Sequence, residues 1–191
     1  MKRLIVFLSI VILLISCKQN NPTIVIETEL GNITIELFEK QAPVTTNNFI
    51  KYIDEKRYIG TTFYRVVTPK NQPLSKIKIE VIQGGLYEDN HPQALPPIVH
   101  ESTKETGILH KDGVISMARY EPGTATFEFF ICVGDQPSLD FGGGRNSDNH
   151  GFAAFGKVID GMDVVRKIHK QTDSAQYLVP RIPITKMLVD Y

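Results

Sequence analysis

The chain has 191 residues, with 21 lysines and arginines balanced by 21 aspartates and glutamates, and an ordinary apolar share of 42%. It is long enough for one domain with its own hydrophobic core, and the neutral balance leaves no electrostatic footprint for nucleic acid. Its two cysteines, Cys17 and Cys132, cannot build a disulfide framework, and no Cys/His spacing points to zinc or another metal.

Lys2 and Arg3 form a positive start, and Leu4 to Ile15 an almost unbroken apolar run. That run suits the core of a secretory signal and is short of the about 20 apolar residues a membrane span needs. The Leu14-Ile15-Ser16-Cys17 that follows resembles the bacterial lipobox. The resemblance implies a signal peptide over 1–16, lipidation of Cys17, a polar tether over 17–22 and a folded domain over 23–191. An uncleaved anchor helix is the alternative. The lipobox reading places the protein in the bacterial cell envelope, held at the periplasmic face of the inner or outer membrane by its lipid.

Beyond the leader, Thr23 to Glu29 alternates apolar and polar residues, a short turn with Gly31 follows, and Ile33, Ile35 and Leu37 alternate again. This is a β-hairpin pattern. Pro43 suits the first turn of a helix, which the Val44, Phe49, Ile50 and Ile53 stripe carries through Asp54. Thr62 to Val67 reads as a strand, Thr68 to Ser75 as a loop, and Ile77, Ile79 and Val81 as the start of a strand ending in Gln83-Gly84-Gly85. Leu86 to Asp112, rich in proline and histidine, reads as an irregular excursion. Strands follow over Gly113 to Ala118 and Glu128 to Val133, with Cys132 as a small core residue. A glycine-rich loop spans Gly134 to Gly151. Phe155 to Ile159 is a strand, Gly161 to Lys170 a second helix and Ile182 to Tyr191 the closing strand. About eight strands and two helices predict a mainly β fold, a closed antiparallel barrel without exposed edges.

Several ordered blocks carry a family resemblance. Phe63-Tyr64-Arg65-Val66-Val67 is joined by Gln83-Gly84-Gly85. Gly113-Val114-Ile115-Ser116-Met117-Ala118-Arg119 precedes Phe129-Phe130-Ile131. Leu139-Asp140 is followed by Phe152-Ala153-Ala154-Phe155-Gly156-Lys157-Val158. From about Thr23 to the C-terminus the chain resembles the cyclophilins. The resemblance implies an eight-stranded barrel capped by two α-helices, peptidyl-prolyl cis-trans isomerase activity on proline-containing polypeptides, and no cofactor. A monomer is the default expectation.

The X-Pro bond resists rotation by roughly 18–20 kcal/mol because of its partial double-bond character. In the twisted transition state amide resonance is lost and the prolyl nitrogen becomes a hydrogen-bond acceptor. Catalysis then needs an apolar slot for the proline ring and one well-aimed donor, with no nucleophile or metal. The resemblance assigns the donor to Arg65, whose guanidinium is always charged and directional, with Gln83 orienting it. On the residue type alone, Arg65 would pass for a surface arginine. The expected substrate-binding set is Phe63, Val81, Met117, Ala118, Arg119, Glu128, Phe130, Leu139 and Phe152.

Some positions depart from the family pattern. The segment Thr68 to Glu80 is longer than usual, and Glu128 stands where a glutamine is common. An ionised glutamate cannot donate, so pairing with Arg65 or Arg119 is expected. Ser138 replaces a common tryptophan, which the chain lacks altogether, and Phe152 replaces a histidine. The Asn146-x-Asp148-x-His150 pattern only faintly matches a calcium loop. Glu128 and the altered loop motivate a second reading, a non-catalytic module that docks proline segments on the same groove; a third is a structural envelope lipoprotein using the barrel as a spacer.

Overall fold

The computed structural model describes residues 21–88 and 91–190. The leader 1–16, the lipidation site Cys17 and most of the tether lie outside the described residues. Asn21 and Pro22 already touch the fold: the Pro22 carbonyl accepts the Leu37 N–H at 2.9 Å, and the Asn21 amide donates to Glu36 at 2.9 Å.

Alternation along the chain becomes alternation across a sheet. In β1 (Thr23–Thr28) and β2 (Gly31–Leu37), Ile24, Ile26, Ile33, Ile35 and Leu37 all turn inward and are fully buried. The helix α1 spans Pro43–Asp54, with its proline in the first turn. Then come β3 (Thr62–Val67), β4 (Val81–Gly85), α2 (Thr103–Thr106), β5 (Val114–Met117), β6 (Phe129–Cys132), β7 (Ala153–Asp160), α3 (Met162–His169), the two-residue β8 (Asp173–Ser174) and β9 (Tyr177–Asp190). The strand order is β1-β2-β7-β5-β6-β4-β3-β9, and β1 also pairs with β9, so eight antiparallel strands close into a barrel. β8 pairs with β9 alone, forming a hairpin outside the ring.

The barrel interior is aromatic. Phe49 of α1 lies 5.3 Å from Phe129, nearly edge-on, and 5.1 Å from Phe155, measured between ring centroids. Phe129 also meets Tyr58 and Phe63 edge-to-face at 5.8 Å, a geometry favoured by the ring quadrupoles. From α3, Val164, Val165 and Ile168 join the same core.

The fold departs from the sequence reading in three places. A third helix, α2, breaks the 86–112 excursion. Its start carries a capping box in which the Ser102 N–H and hydroxyl both donate to Glu105 at 2.9 and 2.8 Å, a pattern legible in Ser102-x-x-Glu105. The strand expected from Ile77 starts only at Val81. The backbone before it is taken by side chains instead: the Gln72 amide donates to the Ile79 carbonyl at 2.6 Å, and Arg145 to the Ile77 carbonyl at 2.6 Å. Those bonds satisfy groups that a ladder would otherwise claim. Lastly, β9 begins at Tyr177, well before Ile182. Its first part folds back on β8 and β3.

Phe129 links three aromatic neighbours at the barrel centre. Phe129→Ala should therefore destabilise the protein by about 3–5 kcal/mol, read as a lower urea midpoint at unchanged slope. A loss no larger than that of a surface substitution would show that the core collapses around the gap.

Candidate active site

The site is built on the outside of the barrel, along one cross-strand row. Directly paired residues of neighbouring strands share a face. The register pairs Tyr177 with Arg65, Arg65 with Gln83, Gln83 with Phe130, and Phe130 with Ser116. One step along, Val67 pairs with Val81 and Val81 with Cys132. Together with Ile79 and Leu139 these outward residues form a second apolar cluster, separate from the barrel core, with Ala118 and Phe152 packed against it.

Beside this cluster opens a cavity of about 610 Å³ that runs from Phe130, Leu139 and Phe152 past Arg65 and Gln83 to Tyr87 and Tyr177. Its apolar end is tightly built. Phe152 stands edge-on to Phe130 at 5.3 Å. The 3-10 turn Pro137–Leu139 presents Leu139, whose carbonyl accepts the Phe152 N–H at 3.0 Å. Behind Phe130 lies the ring of His110, stacked at 6.0 Å and 14°. His110 contacts Asp140 at 2.7 Å through Nδ1 and the Ser116 hydroxyl at 3.0 Å through Nε2. This is a Ser-His-Asp arrangement, but Ser116 is fully buried and His110 is 1% exposed. No substrate reaches the hydroxyl, so the trio supports the pocket floor rather than acting as a nucleophile. The Cys132 thiol is equally closed, and burial pushes its pKa up.

At the polar end Arg65 is held on two sides. Its Nη1 donates to Gln83 Oε1 at 2.8 Å, while Nε and Nη2 both donate to Gln176 Oε1 at 3.0 and 2.5 Å. The Gln83 amide nitrogen in turn donates to the Tyr64 hydroxyl at 2.6 Å and to Glu128 at 3.2 Å. Tyr64 donates its hydroxyl to the same carboxylate. Burial, and then the negative Glu128 beside it, push the Tyr64 phenol far above its usual range. Ionised Glu128 is acceptor-only. It therefore keeps the Gln83 NH₂ turned toward itself and the Gln83 carbonyl turned toward Arg65.

The expected site residues divide accordingly. Arg65, Gln83, Val81, Ala118, Phe130, Leu139 and Phe152 line the cavity together. Phe63 and Met117 do not: both are 0% exposed and belong to the barrel core. The reason is a bulge. Phe63 pairs with Gly84 and Arg65 with Gln83, leaving Tyr64 as an extra residue. Simple alternation would put Phe63 and Arg65 on one face; the extra residue turns Phe63 inward and Arg65 outward. Met117 is paired with inward-facing Phe129.

Arg119 borders the cavity, but its side chain is 0% exposed and grips Asp148 at 2.8 and 2.9 Å. It also donates to the Gly151 carbonyl and stands 5.4 Å from the Phe152 ring centroid. It is a clamp on the 148–152 segment rather than an open contact. Glu128 meets Tyr64, Gln83 and the Tyr87 N–H, the last at 2.8 Å. Gly85 makes room for it: a Cβ there would come within 2.6 Å of Glu128 Oε1.

Sequence reasoning missed Tyr64, Ile79, Tyr87, Gln176 and Tyr177, all of which line the cavity. Tyr64 had a signal, its place beside Arg65. Gln176, 111 residues from Arg65, had none.

The Arg119 clamp has a pH signature. Hydrogen bonds from Arg119 push the Asp148 carboxyl down to about 2, below the unfolded value of about 3.9. A depressed pKa stabilises the fold fully above the unfolded value, and that gain is lost as pH falls through the folded one. Asp148→Asn should lower the melting temperature by a few degrees near pH 7, and the gap to the parent should close toward pH 2. A gap that persists at pH 2 would mean the clamp does not act through this charge.

Comparison with known proteins agrees with this architecture. Residues 23–189 match the model of the family described as cyclophilin type peptidyl-prolyl cis-trans isomerase/CLD. The chain is 34% identical over 164 residues to a peptidyl-prolyl cis-trans isomerase of Acinetobacter baylyi, covering 85% of this chain and 80% of that one. It is 35% identical over 142 residues to peptidyl-prolyl cis-trans isomerase B of Escherichia coli, covering 74% and 80%. Its fold matches a cyclophilin type isomerase of Cryptosporidium parvum, solved in the presence of the dipeptide Ala-Pro, with a TM-score of 0.68 at 21% identity over 88% of this chain and 99% of that one. The chain belongs to the cyclophilin-type peptidyl-prolyl cis-trans isomerases, enzymes that interconvert the cis and trans forms of X-Pro peptide bonds.

Proposed function

We propose that the exterior cavity is where the proline of a polypeptide substrate is turned, with Arg65 as the donor to the twisted amide. The observation that carries this reading is the junction in the cavity: a guanidinium with both neighbours fixed, directly beside an apolar slot. Val81, Phe130, Leu139, Phe152 and Ala118 would take the pyrrolidine ring. Arg65 has five N–H donors, and among the described residues its bonds to Gln83 and Gln176 engage three of them. One N–H on each terminal nitrogen is left for the substrate. In the planar ground states the prolyl nitrogen is a poor acceptor; as the bond twists, its lone pair returns and the donor gains a partner. The interaction thus strengthens on the way to the transition state, which is what lowers a barrier. Ala118 and the Arg119 backbone would border the substrate chain, while the Arg119 side chain keeps the Phe152 wall in place.

Arg65→Ala should lower kcat/KM in a proline-isomerisation assay with X-Pro peptides by about 10²–10³-fold, the usual loss for one preorganised donor. Full activity in a folded variant would remove Arg65 from the mechanism. If the parent protein binds proline peptides but does not accelerate their relaxation, the cavity is a docking groove instead.

We also infer that the enzyme works on exported proteins at the bacterial cell envelope, tethered by lipid on Cys17. The order of basic start, apolar run and Leu14-Ile15-Ser16-Cys17 supports this. The full chain expressed in a bacterium fed labelled palmitate should incorporate label and fractionate with membranes. Cys17→Ser should abolish labelling; label retained in that variant would rule out the anchor.

A further inference from the structure

We propose that Gln176 is a positioning residue for Arg65, and that the 68–80 insertion acts on the site through it. This rests on Arg65 being the donor to substrate. Gln176 sits in the turn between β8 and β9, where Ala175 and Gln176 have φ of 50° and 76°. Gln176 holds the turn through its own backbone: its N–H donates to the Asp173 carboxylate at 2.9 Å, and its carbonyl accepts the Val66 N–H at 2.8 Å. Its side chain is not needed for that. It reaches into the cavity instead, where one oxygen takes the Nε and Nη2 donors of Arg65.

Two N–H groups on the same edge of a planar guanidinium, bound to one point, fix both the plane and the swing of the group. A single bond from Gln83 to Nη1 leaves rotation about that contact. With Gln83 and Gln176 on opposite sides, the remaining N–H pair can aim in only one direction. Direction is what a hydrogen bond to a transient lone pair requires.

Gln176 is itself anchored by the insertion. Its amide nitrogen donates to the Asn71 carbonyl at 3.0 Å. Asn71 is pinned in place, accepting the Thr68 N–H at 2.8 Å through its side-chain oxygen and donating to the Val66 carbonyl at 3.0 Å. Because the Gln176 NH₂ is engaged by a carbonyl, which only accepts, its own oxygen must face Arg65. The longer segment between β3 and β4 therefore supplies the acceptor that sets the polarity of Gln176. Glu128 does the same for Gln83. The arginine is flanked by two amides, each oriented by an acceptor-only group behind it.

The test compares four proteins in the isomerisation assay: parent, Gln176→Ala, Arg65→Lys, and the double variant. Gln176→Ala keeps the turn's backbone bonds and should fold. It should lose about tenfold to a hundredfold in kcat, the scale of a misaimed catalytic group, with KM within about twofold of the parent because binding of the ring is untouched. Arg65→Lys has no fork to aim, so adding Gln176→Ala should cost nothing more. NMR gives a second readout that does not depend on turnover. The side-chain Nε–H signal of Arg65, assigned by its absence in Arg65→Lys, should be protected from exchange in the parent and exposed in Gln176→Ala. Equal kcat in parent and Gln176→Ala, or equal losses in both backgrounds, would overturn the positioning role while leaving Arg65 as donor. An unimpaired Arg65→Lys would overturn both.

Discussion

Between Phe63 and Arg65, β3 carries one residue more than the β4 strand opposite it. Everything at the site follows from that insertion into an otherwise regular ladder. It sends Phe63 into the barrel against Phe129 and brings Tyr64 and Arg65 to the outer surface side by side. From there the register carries the outward face across the sheet to Gln83 and Phe130. Arginine and aromatic floor are thus neighbours because strands pair, and the barrel's closure holds the pairing rigid. A side chain placed by a bulge on a closed sheet has little freedom to wander.

The outer face carries a small apolar cluster of its own, distinct from the core. That division suits the reaction. Turning a proline requires no proton transfer and no covalent intermediate, so groups that could provide them are closed off. Ser116, His110 and Cys132 are buried beneath the pocket, where they support Phe130 and the adjoining wall. What stays open is a hydrophobic slot beside the Arg65 guanidinium.

Glu128 illustrates how a departure from a family pattern can be absorbed. A carboxylate there forfeits the donor that a glutamine would offer, yet it collects three donors of its own: the Tyr64 hydroxyl, the Gln83 amide and the Tyr87 N–H. Gly85 is the companion of that choice, since any side chain at 85 would collide with the carboxylate. The network has fixed polarity, and it ends on the residue that orients Arg65.

The sequence by itself determined the order of the barrel strands and the two longer helices, and its resemblance to the cyclophilins pointed to part of the pocket. The signals are local: period-two alternation in Thr23–Thr28, a proline at the start of α1, and the short blocks around Arg65, Gln83, Phe130 and Leu139 that carry the resemblance, since residue type alone would leave Arg65 a surface arginine. Tertiary structure decided what depends on register and on distant contacts. The inward turn of Phe63 needs the bulge, which alternation within one strand cannot reveal. The N-terminus of α1 is capped by Glu101, with the Thr45 N–H 2.7 Å from its carboxylate, and nothing in residues 40–50 announces that partner. Gln176 reaches Arg65 only because β9 folds back along β3 to close the barrel. A periodic pattern records which way a side chain points along its own strand. Which residue it then meets is set by how strands far apart in the chain are brought into line, and that is a property of the closed sheet.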